Sequence, residues 1–203
     1  MAISINGSGT ITGVSVGGLP DGIVDTDMLA TSAVSPAKMG YDGAVLRVVN
    51  TVKTDTFSTA SQSFTVVAGL TASITPRFSD SKILIIASVH FSADAGANSC
   101  SFAIGKGGSQ LLDFAADAAG NRIRAAMHGY PSDGATHVTE NEMFSSTVTC
   151  LDSPATTSEI TYSVMMRAAN AATMYVNRTL EDRDAADYDP RTISTLTLME
   201  VAA

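Results

Sequence analysis

The sequence predicts an all-β protein, an antiparallel β-sandwich of jelly-roll type that follows an extended N-terminal arm. Two observations lead to this fold class. From residue 44 onward, short segments that alternate apolar and polar residues follow one another with turn signals between them. No segment keeps a helical apolar period over three turns. About ten short strands in roughly 160 residues are typical of a β-sandwich.

Composition and charge exclude several classes of protein. The chain has 203 residues, and its 12 Lys and Arg residues against 20 Asp and Glu residues give a net charge of −8. Because nucleic-acid binding needs a positive stripe, we expect no nucleic-acid partner. No apolar run approaches the roughly 18 residues of a membrane span, and the first residues lack the pattern of a signal peptide. We therefore expect no membrane insertion.

Residues 1–43, which we call the arm, differ from the rest of the chain in two ways. They are rich in glycine, and they contain a ten-residue repeat that aligns 22–29 with 32–39. Asp25 and Ser35 are predicted N-caps of one short helical turn in each unit. A ten-residue unit cannot bury its own apolar face, so we expect the arm to pack against other chains in a homotrimer. The alternative is a disordered linker, which Gly and Ser favour. The residues predicted to pack in the trimer are Ile23, Val24, Leu29, Val34 and Met39.

Residues 44–203 are predicted to form the sandwich, and their last strand is the most informative. Residues 192–201 place Leu196, Leu198 and the methylenes of Glu200 on one face, with apolar or β-branched residues on the other. A strand patterned in this way is buried on both faces. We predict a central strand, with one face on the core and the other against a neighbouring chain or sheet. The predicted strands are 44–52, 63–67, 70–75, 82–91, 100–106, 109–115, 122–129, 143–151, 159–168, 173–178 and 192–201.

The sequence carries no recognisable catalytic constellation. None of its three histidines has a second His or Cys at metal-ligand spacing, and His90, at the end of an apolar strand, is predicted to be structural. The segment 105–108 lacks the spacing of a phosphate-binding loop and is predicted to be a hairpin turn. We therefore expect neither an enzyme nor a requirement for a cofactor or metal.

The densest charge in the chain lies at 181–189. Its carboxylates are ligands of the kind that calcium prefers, although the spacing is not that of an EF-hand loop. The favoured interpretation is a solvated loop that Arg183 and Arg191 hold together, because charge runs usually lie on solvated faces.

The two cysteines, Cys100 and Cys150, lie on predicted strands. The favoured interpretation is two small buried side chains, since free cysteine is among the most buried residue types. A disulfide between them stays open at this point.

Several stretches together resemble the small tail-fibre or surface-fibre proteins of tailed bacteriophages, particularly phages of aquatic bacteria. The resemblance covers about two thirds of the chain and consists of composition and short motifs. The stretches that carry it are 3–13, 18–24 with the ten-residue repeat, 73–76, 81–85, 175–178 and 191–200.

The resemblance implies a homotrimer whose arm attaches to other virion proteins and whose β-sandwich faces outward. It implies a location on the exterior of the phage particle, after synthesis in the host cytoplasm. No binding residues follow from it, because the matching motifs are structural.

The leading hypothesis is therefore a short trimeric fibre whose outer domain contacts a glycan or protein of the host surface. Loop Asp, Asn, Ser and Tyr side chains would meet glycan hydroxyls, with avidity from three copies. A close alternative is a capsid decoration or cement protein. A polysaccharide depolymerase is disfavoured, because Glu140 and Glu142 have no partner carboxylate that can be placed.

Overall fold

The computed structural model describes residues 4–5, 11–12, 43–94, 99–129, 141–170 and 172–203. The chain divides into two compact units, Met1–Asp42 and Gly43–Ala203. In the first unit, strands β1 (Ser4–Ile5) and β2 (Ile11–Thr12) pair antiparallel, with Ile5 opposite Ile11. The five arm residues predicted to pack in a trimer, Ile23, Val24, Leu29, Val34 and Met39, lie outside the described residues.

The second unit consists of antiparallel strands, which confirms the all-β prediction. Strands make up about half of the described residues, which contain no α-helix, only one 3₁₀ turn at Leu112–Phe114. No helix in the described part of the chain is long and apolar enough to cross a membrane. The strands are β3 (Val45–Lys53), β4 (Phe57–Thr59), β5 (Thr65–Ile74), β6 (Lys82–Ala93), β7 (Cys100–Lys106), β8 (Ser109–Gln110), β9 (Met127–Gly129), β10 (Phe144–Asp152), β11 (Ile160–Ala168), β12 (Met174–Val176) and β13 (Ser194–Val201).

The first sheet has four strand positions side by side, which we call ranks. Two of these ranks are interrupted, which means that two separate strands lie one after the other along the same line. Strand β6 pairs with β10 along one edge. Along its other edge it pairs first with β13, where Leu198 lies opposite Ile85, and then with β12, where Val176 lies opposite Phe91. Outside these, β3 pairs with β13 and β4 with β12. The spatial order of the ranks is therefore β3/β4, β13/β12, β6 and β10.

The second sheet also has four ranks, in the order β5, β11, β7 and β8/β9. Strands β8 and β9 lie one after the other along the free edge of β7, where Ser109 pairs with Lys106 and Met127 pairs with Phe102. The chain leaves this rank after β8 and returns at β9. Two residues with positive φ, Gly107 and Gly108, make the hairpin turn between β7 and β8 that the sequence predicts.

The two sheets share one apolar core because their inward residues alternate with outward ones. On β13, Leu196 and Leu198 are fully buried between the neighbouring strands as predicted, whereas the residues of its other face, which the sequence predicts to be buried as well, are half-buried in the single chain. The rings of Phe91 and Phe102, from opposite sheets, meet edge to face with centroids 4.9 Å apart. The other large side chains in the core are Leu70, Ile74, Ile83, Ile85, Ile104, Tyr162, Met166 and Met174.

Polar side chains tie the two sheets together at the edges of this core. From β11, the buried Tyr162 hydroxyl donates to Asp152 Oδ2 of β10 at 2.5 Å, and Lys106 Nζ of β7 lies 2.6 Å from the same oxygen. Burial first, and then the hydrogen bond to Asp152, raises the pKa of Tyr162. Along the opposite edge, the Thr51 hydroxyl of β3 donates to the Thr71 carbonyl of β5 at 2.9 Å.

Three differences from the predicted strands have a clear cause. Predicted strands 63–67 and 70–75 form one strand, β5, because Gly69 adopts φ +83° and the chain passes through a bulge without leaving the sheet. Predicted strand 109–115 stops at 110, where the chain turns into the 3₁₀ segment. The short strand β4 was not predicted, since three residues give too little alternation to detect.

The sandwich has two distinct ends. At the root end, the Gly43 amide donates to the Ala202 carbonyl, so the chain begins the second unit beside the start of β6. At the opposite end, which we call the loop end, β6 finishes and the chain between β12 and β13 makes its long excursion. Because β6 has 12 residues, the two ends are about 40 Å apart.

Replacing Leu198 by Asp is expected to destabilise the fold by at least about 4 kcal/mol, because it buries an unpaired carboxylate in the core. Thr157, exposed in the loop before β11, is the matched control. Thr157→Asp is expected to change stability by less than about 0.5 kcal/mol. Thermal and urea unfolding measure both, and equal melting temperatures for the two variants would contradict the placement of Leu198.

Candidate functional site

The excursion between β12 and β13, residues 177–193, is the candidate site, and we call it the excursion loop. It begins at Asn177, a fully buried residue with φ +62°. The Asn177 side-chain amide donates to the carbonyls of Lys53 and Asp55 at 2.9 and 3.0 Å. Its oxygen accepts the hydroxyl of Ser194 at 2.6 Å. The residues where the chain leaves and rejoins the sheet are therefore bonded directly to each other.

Inside the loop, the buried carboxylate of Asp189 accepts hydrogen bonds from two other loop residues. Asp189 Oδ1 accepts the Thr179 hydroxyl at 2.5 Å, and Oδ2 accepts Arg183 Nε at 2.6 Å. The Asp189 side chain has no exposed area, whereas that of Arg183 is 42% exposed. The Arg183 guanidinium also donates to Asn141, from the segment before β10.

A second ion pair closes the loop on its exposed side. Arg191 donates through Nε and Nη2 to the two oxygens of Asp182, at 2.7 and 2.6 Å. Such a two-pronged pair fixes geometry as well as charge. The prediction that Arg183 and Arg191 hold this acidic segment together is confirmed.

The base of the loop is anchored to the sheet by Arg178. Its guanidinium carbon lies 4.3 Å from the centre of the Tyr175 ring of β12, and it donates to the carbonyls of Thr179 and Leu180. The Ser92 hydroxyl of β6 donates to the Arg178 carbonyl at 2.7 Å. The loop is therefore a folded extension of the sheet, with its polar groups held in fixed positions.

The arginines lower the pKa of both paired carboxyl groups. For Asp189, the hydrogen bond from Arg183 is the largest cause, followed by the one from Thr179. For Asp182, the hydrogen bond from Arg191 is the largest cause. Both side chains are thus anionic and already bonded to cations at neutral pH. Among the described residues, no three His, Cys, Asp or Glu side chains are grouped to hold a metal ion.

The loop surface can bind a polar ligand by hydrogen bonds. A cleft of about 440 Å³ opens between the two ion pairs and is lined by Asp182, Arg183, Asp184, Asp189 and Arg191. Tyr188, at 59% exposure, lies in the same loop and offers an aromatic face with a hydroxyl. Ordered charged donors and acceptors beside an exposed aromatic ring suit a hydroxyl-rich ligand such as a sugar.

The other residues that the sequence analysis singled out either lie away from the excursion loop or form hydrogen bonds that support it. His90 Nδ1 is bonded to the Ile193 carbonyl at 2.7 Å, so its predicted structural role is confirmed. Cys100 and Cys150 are free thiols; burial, and then the Asp152 charge, raises the pKa of Cys150 to about 11. Glu142 is exposed, and Glu140 lies outside the described residues.

Sequence reasoning missed the residue on which the site depends. The sequence analysis assigns no role to Asn177, although asparagine is one of the few residues that adopt positive φ readily. An Asn near the end of a short predicted strand and before a charged segment is a usable signal for a chain that leaves a sheet.

Comparison with known proteins adds no assignment. No protein-family model matches the sequence, and no curated protein matches it.

The Asp189 cluster predicts an acid-sensitive loop. A carboxyl group with a depressed folded pKa contributes stability above its unfolded value, near 3.8, and loses that contribution as the pH falls through the folded value. Asp189→Asn is expected to lower the melting temperature at pH 6. The gap between variant and wild type is expected to shrink at an acid pH below the lowered folded pKa of Asp189, where this carboxyl group also becomes neutral.

Asp187→Asn, an exposed neighbour in the same loop, is the control and is expected to leave the melting curve unchanged at both pH values. A melting-temperature gap for Asp189→Asn that stays constant with pH would show that ionisation of this carboxyl group does not support the fold.

Proposed function

We propose that the protein is a structural virion protein, a short trimeric fibre of a tailed phage whose C-terminal domain contacts the host surface. The observation that carries this proposal is the order of ranks in the two sheets. Numbered along the chain from β3, the ranks lie in the order 1-8-3-6 in one sheet and 2-7-4-5 in the other. This is the order of an eight-stranded jelly roll, an architecture of viral capsid and lectin domains.

The two ends of the sandwich support a fibre orientation. Gly43 begins the domain at the root end, and the excursion loop leaves the sheet beside His90, about 27 Å along β6 from that end. In a fibre that is attached through its root end, the excursion loop would face the host. Three copies of a weak polar site on one particle bind a repetitive glycan far more tightly than one copy does.

The outer face of the first sheet supports a trimer. One row of outward residues crosses all four ranks of this sheet, because Val48 pairs with Met199, Met199 with Leu84, and Leu84 with Leu151. All four are apolar, and Val48 and Leu151 are about half exposed. An exposed apolar row of this kind is typical of a protein interface.

The charge of this face points to another copy of the same chain as its partner. Away from the part next to the excursion loop, its remaining outward residues are Val45, Asn50, Val52, Thr195, Thr197, Val201, Lys82, Ile86, Ser88, His90, Ser145, Thr147 and Thr149. Of these residues, one is a Lys or Arg, namely Lys82 at a corner of the face, and none is an Asp or Glu. In a chain of net charge −8, this is a surface on which copies approach without acidic repulsion. Its flat area of about 500 Å² is the larger part of the ~800 Å² that one partner gives to a standard interface.

Met199→Asp is expected to convert the trimer to a monomer at micromolar concentration while the sandwich stays folded, because it places a charge in the centre of the apolar row. Ser153→Asp, in an exposed loop at the root end, is the control and is expected to remain trimeric. Sedimentation velocity gives the mass of each. A wild-type monomer, or a Met199→Asp variant that stays trimeric, would refute this interface.

Deleting Met1–Asp42 is expected to leave a folded sandwich that no longer joins the particle, because the two units are separate compact bodies. Labelled full-length protein should be seen on virions by electron microscopy, and the purified full-length protein should inhibit phage adsorption to host cells. Truncated protein at normal occupancy on the particle would contradict the role of the arm. Label on the head with no effect on adsorption would favour a capsid decoration protein instead.

A further inference from the structure

A second cleft, of about 500 Å³, lies over the outer face of the second sheet, and we call it the side cleft. Its roof is the segment 112–126, which leaves the sheet between β8 and β9. Arg124 braces this roof by donating to the carbonyls of Ala116 and Leu112 at 2.7 and 3.1 Å. Gln110 in turn donates to the Arg124 carbonyl at 2.7 Å. The side cleft is therefore formed before any ligand arrives, which lowers the entropic cost of binding.

The floor of the side cleft is a row of three polar side chains on adjacent strands. Arg167 of β11 pairs with Ser101 of β7, and Ser101 pairs with His128 of β9. All three line the cleft. Since neighbouring strands are about 4.8 Å apart, the row spans about 10 Å. It presents a guanidinium, a hydroxyl and an imidazole side by side.

The hydrogen-bond donors of the floor and the roof of the side cleft are only partly bonded to other groups of the protein. Arg167 donates through Nε to the Gln62 carbonyl at 2.8 Å, and Ser101 Oγ shares a 3.2 Å hydrogen bond with His128 Nδ1. Arg122, in the roof, makes one long contact of 3.3 Å to the Ala119 carbonyl. Within the described part of the chain, neither arginine pairs with a carboxylate. Two guanidinium groups thus keep donors that face the cleft.

The charge of the lining is opposite to that of the chain. The lining contains Arg122 and Arg167 but no Asp or Glu among the described residues, in a protein of net charge −8. The remaining lining is mostly small and includes four alanines, and the Ile123 side chain is half exposed. Small apolar walls accept the flat face of a sugar ring, and the volume lies within the ~300–1,000 Å³ of small-ligand sites.

We propose that the side cleft binds a carboxylate-bearing sugar, such as a uronic acid of a surface polysaccharide. The Arg167 guanidinium meets the carboxylate, since its planar fork matches two carboxylate oxygens. Arg122 closes over the ligand from the roof. Ser101 and His128 bond the ring hydroxyls. The choice of a sugar rests on the proposed host-surface function, whereas the preference for an anion rests on the cleft alone.

The test uses the full-length protein and measures binding of glucuronic acid, glucose and inorganic phosphate by calorimetry and by NMR. Glucuronic acid is expected to bind with a Kd of about 1 mM, the range for a ligand of this size, and glucose at least tenfold more weakly. Phosphate reports whether the cleft takes any small anion. Equal binding of glucose and glucuronic acid would overturn the assigned anion preference, and phosphate binding as tight as glucuronic acid would overturn the assignment to a sugar.

Arg167→Gln and Arg122→Gln are each expected to weaken glucuronic acid binding about tenfold or more. Arg122 is exposed in the roof, so its replacement leaves the sheet intact even if Arg167→Gln disturbs it. Arg47→Gln is the matched control, because Arg47 is also an arginine bonded to one backbone carbonyl, that of Thr75, and lies outside the cleft. It is expected to bind like the wild type, and loss of binding in this variant to the same degree would refute the assigned site.

Failure of this inference and failure of the proposed function are distinguishable. A protein that sits on the virion and blocks adsorption but does not bind glucuronic acid refutes the side cleft alone. A protein that binds glucuronic acid through Arg167 and Arg122 but is absent from virions supports the cleft as a site for acidic sugars and refutes the virion role.

Discussion

The arrangement of the loop end depends on one buried asparagine. The Asn177 side-chain amide donates to the Lys53 and Asp55 carbonyls, in the edge rank β3/β4. Its side-chain oxygen accepts the Ser194 hydroxyl, at the start of β13. Its backbone amide donates to the His90 carbonyl of the central strand at 3.0 Å. These bonds satisfy the polar groups that an interrupted rank would otherwise leave unpaired in the interior. The chain can therefore leave the sheet for 16 residues, 178–193, without opening its core.

Interrupted ranks also occur elsewhere in the sandwich. Three of its eight ranks are interrupted, at β3/β4, β8/β9 and β12/β13, and the last two release the segments that form the side cleft and the excursion loop. In these last two cases the neighbouring strand, β7 beside β8/β9 and β6 beside β12/β13, runs unbroken past the gap. Rigid continuous strands thus carry irregular segments at fixed positions, which is the usual way for a β-sandwich to present a binding surface.

Charge is distributed unevenly over the domain, and each surface differs in what it can contact. In the excursion loop, arginines neutralise buried or half-buried carboxylates and make a rigid polar surface. In the side cleft, the arginines have no carboxylate partner among the described residues. The outer face of the first sheet is almost without charge. A net charge of −8 describes none of these surfaces by itself, because ionic interactions act over the short distances set by the fold.

The sequence by itself determined the class of the fold and the burial of its strands. Alternation along residues 192–201 placed Leu196 and Leu198 in the core, because side chains on a strand point to opposite faces in turn. The paired arginines of the acidic segment were also predictable, since few cations lie near those carboxylates in the chain. Only the tertiary structure decided the register. Arg167, Ser101 and His128 meet because three strands align, and Val48 joins Met199 for the same reason. Pairing between strands distant in sequence depends on the packing of the whole core, which local patterns do not contain.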